Sequence, residues 1–224
     1  MRFWFLLMLV LSNGILFGQI QTYSKKNDSD PKAKVTLDKL KKTMDGYSSV
    51  EMKFTLTIEA SKQVPIIQKG TLIQSGNKYQ LIMDQQEVYC DGKTTWMYYK
   101  KNKQVQVTDY DEAGSAFLSP KQVMNMYQTG NYVYAITEER TEKGNVFADI
   151  EFKPLDLNAE FSKMRLTVDK TQNKIVSLRV FSKDGSRYHL QLNSTTPNKK
   201  YDPAVFVFNV KANPGVRLED LRID

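Results

Sequence analysis

From Val50 to Glu59 apolar and polar residues alternate without a break: Val50, Met52, Phe54, Leu56 and Ile58 fall on one side, Glu51, Lys53, Thr55, Thr57 and Glu59 on the other. A period of two sustained this long predicts a strand with one buried face. Similar runs recur at 66–74, 79–83, 104–109, 132–139, 145–153, 162–169, 174–182, 187–193 and 204–209, parted by turn residues such as Ser75-Gly76-Asn77, Lys143-Gly144 and Asp184-Gly185. Among them, Glu87 to Tyr99 holds two β-rich runs joined by Asp91-Gly92, the residue choice of a tight hairpin. A turn centred on that dipeptide pairs Cys90 with Lys93, Val88 with Thr95 and Glu87 with Trp96. It puts Tyr89, Trp96 and Tyr98 on one face and Val88, Met97 and Tyr99 on the other. Large apolar groups on both faces predict a central strand pair.

Two segments follow the helical period instead. Leu37, Leu40 and Met44 share a face of a helix expected from Thr36, as N-cap, to about Asp45, with Gly46 as its stop. Ser119 as N-cap and Pro120 at the first helical position open a second, short helix to about Gln128, whose apolar side holds Val123, Met124, Met126 and Tyr127. The pattern as a whole predicts about eleven strands in sequential hairpins and two helices. A meander of that length twists, so it is expected to curl into a barrel or partial barrel around an apolar space plugged by the helices.

The N-terminus breaks this picture. Met1-Arg2 followed by an apolar run to Leu11, then Ser12-Asn13-Gly14 and a small residue at Gly18, has the make-up of a secretory signal peptide, expected over residues 1–18. The run is shorter than a spanning helix needs. Residues 19–34 read as a flexible polar leader, and 35–224 as the folded domain. Export predicts a periplasmic protein. Cys90 is the sole cysteine, so the fold must hold without a disulfide and no lipid-accepting cysteine follows the signal. The formal charge of +7 falls to +6 without Arg2, and the lysines are spread over short groups rather than gathered on an aromatic-laced face. Nucleic-acid binding is therefore not expected; a solvated surface is the default, and a weak attraction for acidic head groups or an acidic partner protein is the alternative.

Catalytic chemistry has little to stand on. His189 is the only histidine and sits in a strand pattern, and neither a nucleophile elbow, a phosphate loop nor a metal-ligand spacing is present. No cofactor or metal is expected. What the chain supplies is apolar and adaptable: nine methionines, and inward faces that carry Met52, Phe54, Leu56, Leu72, Leu81, Met83, Met97, Phe152, Met164 and Leu166. A filled core and an apolar-ligand cavity both fit this supply.

The segments Ser48 to Phe54, Gln68-Lys69-Gly70-Thr71-Leu72, Asp91-Gly92-Lys93-Thr94-Thr95-Trp96-Met97-Tyr98, the Ser-Pro helix at Ser119 and the closing Ala204 to Phe208 with Pro214-Gly215-Val216 together resemble the outer-membrane lipoprotein carrier (LolA) family. The resemblance runs from about Val35 to Val216. It implies a mainly β fold, an unclosed antiparallel barrel with a helical lid over a hydrophobic cavity, no enzymatic activity, and a monomer that shuttles acylated lipoproteins. Its partners would be a lipoprotein-releasing ABC transporter at the inner membrane and an acceptor at the outer membrane. With the alternation, the resemblance implies acyl-chain contacts at Phe54, Leu56, Leu72, Leu81, Met83, Trp96 and Met164, and lid residues at Met124 and Tyr127. The arginine that closes the lid in the family is missing from the matching stretch, Gln74-Ser75-Gly76-Asn77, so other contacts must hold it. Two different roles for the same pattern are a lipid- or lipoprotein-sensing module in envelope stress signalling and a structural or enzymatic barrel with a filled core.

Overall fold

The computed structural model describes residues 28–110 and 124–222. The expected signal segment, most of the leader, the 111–118 loop and the Ser119-Pro120 helix start lie outside the described residues.

Among the described residues, one helix precedes the sheet. Helix α1 spans Pro31–Asp45, six residues more at its start than the sequence pattern predicts. Asp30 is its N-cap, accepting from the backbone N–H of Lys32 at 2.8 Å, and Pro31 occupies the first turn, where a missing N–H costs nothing. Thr36, expected as the cap, lies inside the helix and donates its hydroxyl to the Lys32 carbonyl instead. The leader is correspondingly shorter than expected, its last four residues being helical. Ala33, Leu37 and Leu40 form the buried face.

The strands are β1 (Val50–Glu59), β2 (Ile66–Ser75), β3 (Lys78–Met83), β4 (Gln86–Cys90), β5 (Thr94–Tyr99) and β6 (Gln104–Asp109), then β7 (Tyr132–Glu142), β8 (Asn145–Pro154), β9 (Phe161–Asp169), β10 (Lys174–Ser182) and β11 (Arg187–Pro197), and finally β12 (Arg217–Asp220). They form one twelve-stranded sheet in the order β12-β6-β5-β4-β3-β2-β1-β11-β10-β9-β8-β7. Two antiparallel meanders, β1 to β6 and β7 to β11, are thus joined side by side through the β1–β11 ladder. The sheet ends at β7 and β12 and does not close. Its mainly β, open-barrel character is the one expected, with one strand more.

Two parts of the C-terminus differ from expectation. Residues 204–209 are not a strand: Pro203–Phe206 is a 3-10 turn capped by Asp202, whose carboxylate accepts from Ala204 N–H at 2.8 Å. Proline preceded by a capping aspartate overrides the alternation, although Phe206 and Phe208 are buried as the alternation implies. The polar tail, in turn, contains β12, which pairs in parallel with β6.

The hairpin at Asp91-Gly92 is also displaced. Val88 pairs with Met97, Tyr89 with Trp96 and Cys90 with Thr95, so Gly92 and Lys93 are the turn's centre. The Asp91 carboxylate fixes it by accepting from the N–H groups of Lys93 (2.9 Å) and Thr94 (2.8 Å), and Gly92 takes the left-handed φ of 92°. A shift of two residues leaves every side chain on its expected face.

Apolar residues divide into three clusters. The largest lies between α1 and the inner face of β7 to β10, the second on the inner face of β1 to β4, and the third on the outer face, where Val105, Val107, Trp96 and Tyr98 meet Phe208 of the C-terminal segment.

Candidate functional site

Helix α1 fills only the β7 to β10 half of the concave face. The remainder is a partly open cavity of about 820 Å³. Its walls follow from strand alternation: Phe54, Leu56 and Ile58 from β1, Leu81 and Met83 from β3, Val88 and Met97 from β4 and β5, Leu178 and Val180 from β10, and Leu190 from β11. Gln68, Gln86, Thr95, Thr108, Asp109, Glu160 and Ser182 supply its polar rim. Volume and lining are those of a small-molecule pocket.

Gly70 shapes the cavity floor. It pairs with Phe54, whose ring lies over it; a Cβ at position 70 would stand 2.3 Å from the ring's Cζ. The glycine seen in the Gln68 to Leu72 motif therefore gives the end of the Phe54 ring room against the β2 backbone.

Of the expected acyl contacts, Phe54, Leu56, Leu81 and Met83 line the cavity. Leu72 belongs to the same cluster but sits behind them. Trp96 stands on the opposite, outer face beneath Phe208, because it pairs with Tyr89 rather than sharing the side of Val88. Met164 is fully buried under α1. Trp96 and Met164 are therefore not part of the wall. Val88, Met97, Leu178, Val180 and Leu190 take their places. Val88 and Met97 were within reach of the sequence, since the β3–β4 pairing sets Val88 opposite Leu81. The contribution of β10 and β11 was not, because it depends on the long-range β1–β11 contact.

The lid positions come together with α1. Residues 124–126 are helical, and Met124 and Tyr127 are buried in the cluster that holds Ala33, Leu37 and Leu40. The Tyr127 hydroxyl donates to the Asp38 carboxylate at 2.9 Å, and its ring meets Tyr134 edge-on at 5.9 Å. Asp38 also accepts from Lys34 at 2.7 Å, and Lys34, then Tyr127, hold its carboxyl below the usual range. Burial, then Asp38, pushes the Tyr127 hydroxyl above its ordinary value. Gln74 and Gly76, which match the family's arginine region, face Met44 and Met124 across a small cavity. The polar tie thus runs from the Met124 to Tyr127 segment, expected as a lid, to α1.

Cys90 is buried, its Sγ accepting from Gly92 N–H at 3.3 Å, and burial raises the thiol's pKa, which makes it a core residue rather than a nucleophile. His189 faces Thr57 and Arg179 on the outer side, and burial and Arg179 lower its pKa.

The site is thus an open sheet whose concave face is covered in one part by a helix and lined in another by an apolar cavity. The chain belongs to the LolA family: the pattern of the family described as outer membrane lipoprotein carrier protein LolA matches residues 45–209. It is a family of carrier and binding proteins of the cell envelope. Among solved structures, an uncharacterized conserved protein from Thermus thermophilus shares the fold at a TM-score of 0.55, with 7% identity over 84% of this chain and 99% of the other. A LolA superfamily protein from Nitrosomonas europaea matches with a TM-score of 0.42 and 11% identity, over 79% and 97% of the two chains. A chain of the Pseudomonas aeruginosa MucA/MucB complex matches at 0.40 and 10%, over 80% of this chain and 62% of its own. A search of curated proteins finds no significant match.

Proposed function

We propose that this chain is a periplasmic carrier, exported by its N-terminal signal segment, that takes the acyl chains of lipoproteins released by an inner-membrane ABC transporter and passes them to an outer-membrane acceptor. The observation that carries the reading is the partly open apolar cavity on the concave face, walled by Phe54, Leu56, Leu81, Met83, Val88 and Met97. Each buried methylene contributes about 0.8 kcal/mol. A cavity that is open along one side leaves part of each chain exposed, which keeps affinity low enough for hand-over to a tighter site. No catalytic group is needed for this work.

The test is displacement of a hydrophobic fluorophore from the exported protein by a triacylated lipopeptide, beside the same peptide without its acyl chains. Displacement by the acylated form alone is expected; failure of the fluorophore to bind, or equal displacement by both peptides, overturns the reading. Variants should be placed with burial in mind. Leu81 and Met124 are 1% exposed, so a charge there breaks the core, whereas half-buried Leu56 and Met97 report on the ligand.

A further inference from the structure

The β1–β2 hairpin is longer than its surroundings. Strand β3 ends at Met83, opposite Gly70, so residues 66–69 of β2 and the loop before them project past the neighbouring strand. At the tip, Ala60 to Gln63 makes a tight turn, with Lys62 in the left-handed region (φ 62°) and Gln63 N–H bonded to the Ala60 carbonyl. Then comes Val64-Pro65-Ile66-Ile67, four apolar residues in a row, with Val64 86%, Ile66 50% and Ile67 63% exposed.

A solvated hairpin tip has no use for such a run, and a monomeric fold gains nothing by holding it out in water. Its charge setting says what covers it. Lys62 and Lys69 bracket the run, and between Ala60 and Met83 the chain carries three lysines and no carboxylate. Apolar side chains at the tip with lysines set back on either side match the interface of a bilayer, where the apolar groups enter the acyl region and the ammonium groups reach anionic headgroups. The β5–β6 turn, where Lys100 is paired with Glu87, adds Lys101 and Lys103 at the same end of the sheet. So does a second apolar point: Leu157, 88% exposed, on the β8–β9 connection.

The position of the tip relative to the cavity gives the feature its meaning. Ile66 pairs with Ile58, and Ile58 and Gln68 are cavity-wall residues. On the far side, Glu160 and Phe161, directly after the Leu157 loop, line the same cavity. The Ile66–Ile58 pair therefore forms an apolar path from the exposed tip to the pocket wall.

We infer that the β1–β2 hairpin tip, with Leu157 across the opening, docks this protein transiently on an anionic lipid surface with the cavity mouth facing the bilayer. Passage of acyl chains along that path rests on the carrier reading above; docking does not.

The experiment is vesicle flotation of the protein purified as the cell exports it, with vesicles of phosphatidylcholine alone and of phosphatidylcholine mixed with phosphatidylglycerol. Three chains are compared: the natural one, Val64→Asp/Ile67→Asp, and Lys62→Glu/Lys69→Glu. All keep the same N-terminal segment, so differences report on the hairpin. Exposed sites leave the fold intact, which circular dichroism checks. The natural chain is expected to float with the anionic vesicles, the aspartate pair to lose roughly tenfold or more in partitioning, and the lysine pair to lose its preference for the anionic lipid. No flotation of the natural chain, or equal flotation of the aspartate pair, overturns the proposal, and a protein would then be the tip's partner. Fluorophore binding in the cavity is measured on the same samples: docking without it supports the hairpin's role while the carrier reading falls.

Discussion

At the scale of single residues, Gly70 gives the sharpest expectation. Replacing a strand glycine by alanine ordinarily stabilises, by restricting the unfolded chain and improving strand propensity. Here the added methyl meets the Phe54 ring, so Gly70→Ala is expected to lower the unfolding free energy by about 1–3 kcal/mol in urea titrations, and Phe54→Leu in the same chain to recover most of it. A second pair of neighbours separates wall from scaffold. Met97→Asp is expected to abolish fluorophore binding with the fold retained, whereas Trp96→Ala costs about 2 kcal/mol or more of stability and leaves binding in place. The sequence could say that Trp96 and Met97 point to opposite faces, which is a matter of parity. It could not say which face is hollow. That depends on Phe208, more than a hundred positions away, which covers the Trp96 side.

Among the elements, α1 shows how a local signal is misassigned when two compete. Thr36 with Asp38 two residues on resembles a helix start, but Asp30-Pro31 is the start that is used, and the same aspartate also serves the sheet. Asp30 N–H donates to the Tyr134 carbonyl, its side chain accepts from Ile136 N–H, and the Ser29 hydroxyl accepts from Tyr134 N–H, so the residues entering α1 occupy the open edge of β7. Asp30→Ala is expected to cost about 1 kcal/mol in thermal unfolding and to raise aggregation on heating, read by light scattering. The Tyr127–Asp38 bond gives a prediction of another kind. Tyr127→Phe removes the bond to Asp38 and is expected to speed entry and exit of a cavity fluorophore in stopped-flow, with little change in midpoint temperature. Because Asp38 is held below its usual range, its contribution is present above the ordinary carboxylate value and lost as pH falls through the lowered one. Exchange rates should stay constant from neutrality to about pH 5 and rise only below about pH 4.

For the whole molecule, strand existence was legible almost throughout, because alternation is a property of adjacent residues. Strand order was legible only in part. Hairpin turns announce β1 to β6 and β7 to β11 as two runs, but nothing local announces that β1 lies beside β11, or that a four-residue strand returns to β6 in parallel. A sheet of this size standing without a disulfide draws its stability from the three apolar clusters, and a ligand that joins the inner ones should show it. An acylated lipopeptide at a hundred times its dissociation constant is expected to add about 2.7 kcal/mol, raising the midpoint by roughly 5–10 °C, while the deacylated peptide adds nothing.

The β1–β11 ladder has one more consequence. It carries a bulge at Lys53/Phe54, and the cavity straddles it, with Leu81, Val88 and Met97 to one side and Leu178 and Val180 to the other. The hollow is thus bounded by two leaves of one spring rather than by a rigid cup. A few degrees' change of twist at each ladder, well inside the range that sheets adopt, unrolls or tightens the curve without parting a hydrogen bond. The capacity of the hollow is set by curvature, so a change of bend changes the bulk it can hold.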